Sequence, residues 1–264
     1  IGHEPVCVVE DVGSAVTCFR PGDLVTGVLS TCIADYNVAA NAQMIKIPET
    51  SKPIDACLGE PMMCVANIVR AVEPKMGDRI AVIGCGFMGL MVIAGLKSQA
   101  LGDIVAIDLD EKRLEMAVQY GATKTLNPKN VDVEDASFEL THGRMYDCIV
   151  EITGSLRGLQ TALSVAKISG RGKILAPSVY SKNETWTEEM AYNMMYRSPI
   201  IHVVHPYYTN EYMYTLGIGV DAYVKGVFPT EEFITHRIPF ERVSEGFQLL
   251  DTNPPGYIKG IITF

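Results

Sequence analysis

The sequence predicts an α/β protein in which a doubly wound parallel sheet is combined with a smaller β-rich region. Three observations lead to this prediction. In residues 1–65, short runs typical of strands are separated by turn residues. From about residue 66, apolar strands alternate with helical stretches, and a G-x-G-x-x-G turn at residues 84–89 joins one such strand to a helix.

The β-rich start is marked by turn residues between short runs of β-branched side chains. Turns are expected at Val12-Gly13 and at Pro21-Gly22-Asp23. Strands are predicted in the three intervals 5–10, 24–25 and 36–38.

The alternating region gives the parallel sheet. Strands are predicted at 79–83, 104–107, 147–150, 173–176 and 200–204, and helices at 88–100, 111–120 and 156–168, with Gly121 as a C-cap. The remainder of the chain is expected to hold helices at 211–223 and 243–250 and a strand at 258–262.

The turn at residues 84–89 carries the chemistry of dinucleotide binding. Gly84 permits a tight turn, Gly86 leaves room for a pyrophosphate, and Gly89 allows the helix to pack on the strand. The amides of Phe87 and Met88 open the helix, where free N–H groups and the helix dipole favour phosphate. This arrangement predicts a Rossmann domain.

An acidic residue completes the pattern. Asp108 ends the next strand 19 residues after Gly89, which is the spacing expected for a carboxylate that accepts hydrogen bonds from the adenosine ribose. A carboxylate there repels a 2′-phosphate, so NAD is expected rather than NADP. Arg113 lies just beyond and is a candidate to flank the ribose, with a solvated helix face as the alternative.

Charge and cysteine content narrow the class of protein. The 264-residue chain has a net charge of −9 and carries no cluster of Lys and Arg, so a nucleic-acid partner is not expected. No apolar run reaches the length of a membrane span. The seven cysteines are irregularly spaced and form no C-x-x-C pair, which is typical of free thiols in the cytoplasm.

Several separated motifs together resemble one family. These are Gly2-His3-Glu4-Pro5, Val12-Gly13, Pro21-Gly22-Asp23-Leu24-Val25, Glu60-Pro61, Glu151-Ile152-Thr153-Gly154 and residues 234–240. In this order they are similar to the zinc-type medium-chain alcohol/polyol dehydrogenases, in particular the sorbitol/threonine dehydrogenase branch. The resemblance implies a GroES-like catalytic domain over 1–65 and 207–264, and a Rossmann NAD-binding domain over 66–206.

The resemblance also implies a catalytic zinc and a reaction. His3 matches a zinc ligand, Glu60 matches the carboxylate that replaces a cysteine ligand in this branch, and Glu4 matches a residue that binds zinc in some members only. Imidazole and carboxylate ligands with one open position suit such a zinc. The expected reaction is hydride transfer between NAD(H) and a secondary alcohol or ketone of a sugar or polyol.

Two differences from the family pattern accompany this expectation. The family's first zinc ligand, a cysteine, would precede Ile1, so an N-terminal segment is expected upstream of the sequence. The family's four-cysteine structural zinc lobe would fall between Val25 and Tyr36, where only a short connection exists, so no structural zinc is expected.

The remaining site residues follow from the same resemblance. Thr153 and Gly154 match positions near the nicotinamide ribose, and the run Pro177-Ser178-Val179 matches backbone that meets the carboxamide. Lys259 matches a basic residue that contacts the pyrophosphate, with a solvated edge-strand lysine as the alternative.

Other functions and the assembly complete the expectations. A zinc-free quinone or enoyl reductase and a non-catalytic dinucleotide-binding module are the alternatives to the dehydrogenase. Family members are commonly homodimers or homotetramers, and the apolar strand at 200–204 is the candidate edge for pairing.

Overall fold

The computed structural model describes residues 2–168, 172–180, 183–205 and 211–264. Within these residues the chain forms two compact units, one made of residues 1–66 and 206–264 and the other of residues 67–205. The boundary expected near residue 206 falls outside the described residues. None of the described helices is long and apolar enough to cross a membrane.

Most of the predicted strands and helices occur in the predicted order, and further elements that were not predicted lie between them. The strands are β1 (Val6–Val8), β2 (Leu24–Gly27), β3 (Met44–Lys46), β4 (Arg79–Ile83), β5 (Asp103–Ile107), β6 (Lys124–Leu126), β7 (Cys148–Glu151), β8 (Lys173–Leu175), β9 (Ile200–His202), β10 (Ile234–Pro239) and β11 (Lys259–Thr263). The helices are α1 (Gly59–Val72), α2 (Phe87–Leu96), α3 (Glu111–Tyr120), α4 (Val133–Leu140), α5 (Leu156–Val165), α6 (Glu188–Arg197), α7 (Tyr212–Val224), α8 (Thr230–Phe233) and α9 (Val243–Thr252).

The unit of residues 67–205 contains a six-stranded parallel sheet. Its strand order is β6-β5-β4-β7-β8-β9, so β5 and β6 lie on one side of β4, and β7, β8 and β9 lie on the other. Strand β4 lies at the centre with four of its five residues buried, because helices cover both faces of a sheet of this kind. The predicted doubly wound Rossmann sheet is confirmed.

The unit of residues 1–66 and 206–264 contains a three-stranded sheet and a two-stranded sheet among its described residues. Strands β1, β2 and β3 form an antiparallel sheet in which Val25 and Met44 are buried. Strands β10 and β11 pair in parallel, with a register shift between Ile234 and His236. This unit contains the β-rich part of the predicted fold, which is also confirmed.

Three sequence-based predictions about elements are wrong. Residues 36–38 form no strand, since Val38 is fully exposed and gains nothing from pairing there. Helix α2 ends at Leu96 rather than at residue 100, because residues 97–100 are exposed. Helix α5 ends at Val165 because Ala166 adopts an extended conformation and forms a β-bridge with Tyr146.

Candidate functional site

Three side chains with metal-binding atoms lie together in the β-rich unit. One ligand atom from each of His3, Glu4 and Glu60 lies within 4.8 Å of the other two. The Nε2 atom of His3 is 3.8 Å from Oε1 of Glu60. The imidazole side chain is 59% exposed, whereas that of Glu60 is 12% exposed. The cluster therefore has an open side at His3 and a closed side at Glu60.

The local chain geometry explains how these residues meet. His3 and Glu4 lie in the extended segment before β1, which begins at Gly2 with a φ of +79°. A Cβ atom at Gly2 would lie 2.9 Å from the side chain of Ile33, so both the backbone angle and the packing favour glycine. Glu60 lies in the first turn of α1, where the helix dipole favours a carboxylate.

Charged and polar neighbours balance the two carboxylates. The Nζ atom of Lys259 donates a hydrogen bond to Oε2 of Glu4 and forms an ion pair with it. Burial raises the pKa of the Glu60 carboxyl above its ordinary value, and the negative charge of Glu4 adds to the increase. The positive charges of His3 and Lys259 oppose it. A cation at this cluster would relieve the repulsion between the two carboxylates.

A thiol on helix α1 also contacts the cluster. Cys64 lies one helical turn after Glu60, and its Sγ atom donates to Oε1 of Glu60 at 3.4 Å. Burial raises the pKa of the Cys64 thiol, and the adjacent Glu60 carboxylate raises it further. The thiol is therefore protonated at neutral pH and serves as a donor that orients the carboxylate.

In the other unit, the turn between β4 and α2 has the geometry of a phosphate-binding loop. Gly84 has a φ of +99°, and a Cβ atom at Gly89 would lie 1.9 Å from the carbonyl oxygen of Gly84. A Cβ atom at Gly86 would meet no atom within 4 Å, so the space in front of this residue is open. The turn leads directly into α2 at Phe87 and Met88, whose amides begin the helix.

Asp108 is tied to that turn. Its Oδ2 atom accepts a hydrogen bond from the amide of Cys85 at 2.7 Å, and its Oδ1 atom accepts one from the amide of Asp110 at 2.9 Å. Asp110 in turn caps the N-terminus of α3, where it accepts from the amide of Arg113. The predicted ribose carboxylate is thus held in place at the C-terminal end of β5.

The loops after β7 and β8 contain the residues expected near the nicotinamide. A Cβ atom at Gly154, whose φ is +73°, would lie 3.1 Å from the carbonyl oxygen of Val179, so the two loops pass close together. Thr153 is exposed, and Pro177 and Ser178 are half-buried.

A buried carboxylate connects these loops. Glu151, at the end of β7, is fully buried. Its Oε1 atom accepts from the amide of Thr153 at 2.9 Å and from its hydroxyl at 2.5 Å. Its Oε2 atom accepts from the Tyr180 hydroxyl at 2.5 Å. A Cβ atom at Gly158 would lie 2.5 Å from Oε1 of Glu151, so helix α5 leaves space for this carboxylate.

The sequence prediction grouped some of these residues and missed others. The structure brings His3, Glu4 and Glu60 together. The ammonium of Lys259, a residue expected at the pyrophosphate, forms an ion pair with Glu4. Cys64 was missed, although its i,i+4 spacing from Glu60 is visible in the sequence. The contact between Glu151 and Tyr180 joins two loops and has no local sequence signal.

Comparison with known proteins gives one matching family model and several relatives. Residues 88–197 match the family model described as zinc-binding dehydrogenase. The chain is 28% identical to L-threonine 3-dehydrogenase from Bacillus licheniformis, over 83% of the chain and 61% of that protein. It is 25% identical to sorbitol dehydrogenase from Bacillus subtilis, over 94% of the chain and 76% of that protein.

A solved structure agrees with the fold. A zinc-binding dehydrogenase from Sinorhizobium meliloti, determined with NADP bound, superposes with a TM-score of 0.85. The superposition covers all of this chain and 83% of the Sinorhizobium meliloti chain, and the two sequences are 20% identical. The family model and the two relatives confirm the resemblance drawn from the sequence motifs, and this structure agrees with the fold.

Proposed function

We propose that this chain, a member of the zinc-type medium-chain alcohol and polyol dehydrogenases, interconverts a secondary alcohol of the sugar or polyol class and its ketone with NAD(H). The observation that carries the proposal is the convergence of His3, Glu4 and Glu60, whose ligand atoms lie within 4.8 Å of one another. Fold similarity alone does not determine a reaction, so the argument depends on this cluster.

The donor set suits zinc. Catalytic zinc sites use imidazole and carboxylate ligands and keep one position open for substrate. We infer that His3 and Glu60 hold the metal directly, because the charge of Glu4 is already balanced by its ion pair with Lys259. Glu4 then contributes negative charge beside the metal. Bound zinc supplies a Lewis acid that stabilises negative charge on the substrate oxygen.

Neighbouring groups of the protein orient the Glu60 carboxylate and shield it from water. Cys64 donates its thiol hydrogen to Glu60 and leaves the second carboxylate oxygen of Glu60 available to a metal. Because the Glu60 side chain is only 12% exposed, few water molecules compete for it. The exposed side of His3 is the direction from which a substrate would arrive.

The dinucleotide is assigned to the Rossmann domain. The amides at the start of α2 would bind the pyrophosphate, and the open space at Gly86 would admit it. Asp108 favours NAD, since a fixed carboxylate beside the ribose disfavours a 2′-phosphate. Arg113 is proposed to flank the adenosine ribose. The nicotinamide supplies the hydride acceptor or donor.

The remaining predicted contacts concern the nicotinamide. Thr153 and Gly154 are proposed to lie near its ribose, and backbone of the run Pro177-Ser178-Val179 near its carboxamide. Support comes from their position after β7 and β8, since ligands of open α/β sheets bind at the C-terminal ends of the strands.

Assembly through the sheet edge is also proposed. Strand β9 lies at the end of the six-stranded sheet, and its residue Ile200 is 49% exposed. Val203, just beyond the strand, is 71% exposed. An apolar edge strand of this kind favours pairing with a second copy, so a homodimer or a homotetramer is the proposed form. The proposed location is the cytoplasm, where free cysteines remain reduced. An Ile200→Lys variant should shift the molar mass in solution towards that of the monomer.

The experiment for the function is a substrate screen with metal control. Natural full-length protein is assayed with NAD+ and a panel of sugar alcohols, simple secondary alcohols and L-threonine. The proposal expects turnover of a polyol that disappears after chelation and returns with Zn²⁺. Full activity after exhaustive chelation, or a preference for NADPH and an enone, would instead support a zinc-free reductase. NADH binding with no turnover would support a binding module.

A further inference from the structure

A single hydroxyl group joins the two chain segments that carry the proposed metal ligands. Thr26 lies in β2 and is fully buried. Its Oγ1 atom donates a hydrogen bond to the carbonyl oxygen of Pro5 at 2.8 Å. The same atom accepts a hydrogen bond from the amide of Gly59 at 2.9 Å. One hydroxyl can do both, since it has one donor and two acceptor sites.

The two bonded groups lie directly beside the ligand residues. Pro5 follows Glu4 and is two residues after His3, while Gly59 immediately precedes Glu60. The hydroxyl of Thr26 therefore spans two backbone segments that are far apart in the sequence. A shift of this hydroxyl would move the carbonyl group of Pro5 relative to the amide of Gly59.

The backbone of Thr26 is itself held in place by its neighbours in the sheet. Thr26 is paired with Val6 of β1 on one side and with Ile45 of β3 on the other, so β2 is the central strand of its sheet. A side chain on a central strand is held on both sides by backbone hydrogen bonds. The Thr26 hydroxyl is therefore a fixed reference point for both ligand segments.

The packing at Gly59 fits the same arrangement. A Cβ atom on Gly59 would lie 2.7 Å from Oγ1 of Thr26 and 2.9 Å from the side chain of Leu216. Only glycine lets the start of α1 approach the hydroxyl closely enough for the hydrogen bond. The first turn of α1, which contains Glu60, is thereby brought towards β2.

We propose that Thr26 is a positioning residue for the zinc site, which sets the separation of His3 from Glu60 by bridging Pro5 and Gly59. The inference rests on the proposed zinc function of these residues. Without the bridge, the imidazole and the carboxylate would have to be brought together when the metal binds. Groups outside the ligand set that orient the ligands typically change metal affinity about 10- to 100-fold.

The test compares zinc affinity in three variants of the natural full-length protein. The protein is stripped of metal and titrated with Zn²⁺ against a chromophoric chelator, without cofactor or substrate. Thr26→Val keeps the shape and removes both hydrogen bonds, whereas Thr26→Ser keeps the hydroxyl. Thr215→Val is the matched control, because Thr215 is equally buried and its hydroxyl donates to the carbonyl groups of Glu211 and Tyr212 at the start of α7.

The expected result separates the variants. Thr26→Val should raise the Kd for zinc about tenfold or more, while Thr26→Ser and Thr215→Val should stay within about threefold of wild type. A folded Thr26→Val protein with wild-type zinc affinity would overturn the proposal. If the wild-type protein binds no zinc, the proposed function fails. If the wild-type protein binds zinc and Thr26→Val binds it equally well, only the proposed role of Thr26 fails.

A measurement on wild-type protein covers the case in which Thr26→Val does not fold. If the Thr26 bridge favours zinc binding, zinc binding must stabilise the bridge to the same degree. Hydrogen exchange of the Gly59 amide, which donates to Thr26, should therefore slow by about tenfold when zinc is added, with a smaller change at the Ile47 amide, which bonds Leu24. Equal exchange rates at Gly59 with and without zinc would contradict the proposal.

Discussion

The hydroxyl of Tyr180 donates a 2.5 Å hydrogen bond to the fully buried carboxylate of Glu151. This bond joins the loop after β8 to the end of β7. Burial raises the pKa of the Tyr180 hydroxyl and the Glu151 carboxylate raises it further, so the phenol remains a donor at neutral pH. The two loops proposed to meet the nicotinamide therefore share one internal anchor.

Replacing this anchor should weaken dinucleotide binding. In Glu151→Gln, one end of the side chain becomes an NH₂ group that cannot accept from Tyr180, and the charge that strengthens the remaining hydrogen bonds is lost, at a cost of about 1 kcal/mol. We expect the Kd for NADH to rise about tenfold, as measured by fluorescence titration. Tyr180→Phe should show a smaller increase, and Tyr192→Phe, at an exposed tyrosine, should show none. An unchanged Kd in folded Glu151→Gln would mean that the loops do not meet the cofactor.

Asp108 should control the choice between NAD and NADP. Asp108→Asn keeps an oxygen that accepts from the Cys85 amide, but it loses the hydrogen bond from the Asp110 amide and removes the negative charge. The ratio of kcat/KM for NAD+ to that for NADP+ should fall about tenfold, or about 1.4 kcal/mol. Asp103→Asn, at the opposite end of β5, provides the control and should leave the ratio unchanged. A variant that keeps the wild-type ratio would remove Asp108 from the ribose.

The cysteines should differ widely in their reaction with a maleimide. Burial raises the pKa of Cys57 to about 12 and that of Cys148 to about 12, from an ordinary 9.0, which lowers the thiolate fraction at pH 8 about 1000-fold. Cys18 is exposed and should be modified first. Mass spectrometry of digested protein measures the order. Labelling of Cys57 in folded protein as fast as that of Cys18 would contradict the described packing.

Asp147 should give a pH-dependent contribution to stability. Burial alone would raise its pKa, but the Arg79 amide at 3.0 Å and the Lys167 ammonium at 2.6 Å outweigh this, so the pKa is lowered. A lowered folded-state pKa stabilises the protein above the unfolded-state value near 4 and ceases to do so as the pH falls through the folded-state value.

The matching experiment is urea unfolding at several pH values. Asp147→Asn should lower the free energy of unfolding by about 1 kcal/mol at pH 7, and the difference from wild type should shrink below about pH 4. The exposed Asp35 supplies the control substitution Asp35→Asn, which should change stability little. A difference for Asp147→Asn that is independent of pH would show that charge is not its cause.

The sequence predicted elements whose causes are local. The turn at Gly84, Gly86 and Gly89 was found because its backbone conformation and close packing need glycine at fixed spacing. The C-cap at Gly121, with a φ of +133°, is another example. The end of α5 was missed because Ala166 leaves the helix to bridge with Tyr146, which is a contact between distant parts of the chain.

The residues of the candidate site also fall into two groups, those predicted from sequence motifs and those that depend on contacts between distant segments. His3 and Glu60 were identified from motifs that resemble a family, and Cys64 could have been found from its spacing. The ion pair between Glu4 and Lys259 joins opposite ends of the chain, so no local pattern reveals it. The role of Thr26 depends on two hydrogen bonds whose partners are known only once the strands are paired.

The most direct test of the central claim is zinc content per chain, measured by elemental analysis of natural full-length protein and four variants. Wild type, Glu4→Gln and the control variants His236→Ala and Glu10→Gln should each hold about one zinc after dialysis. We expect the protein carrying both His3→Ala and Glu60→Gln to hold less than about a tenth of that amount, while it keeps the wild-type Kd for NADH, because the phosphate turn belongs to the other unit. A double variant that retains wild-type zinc would contradict the account, as would a wild-type protein that binds NADH but holds no zinc.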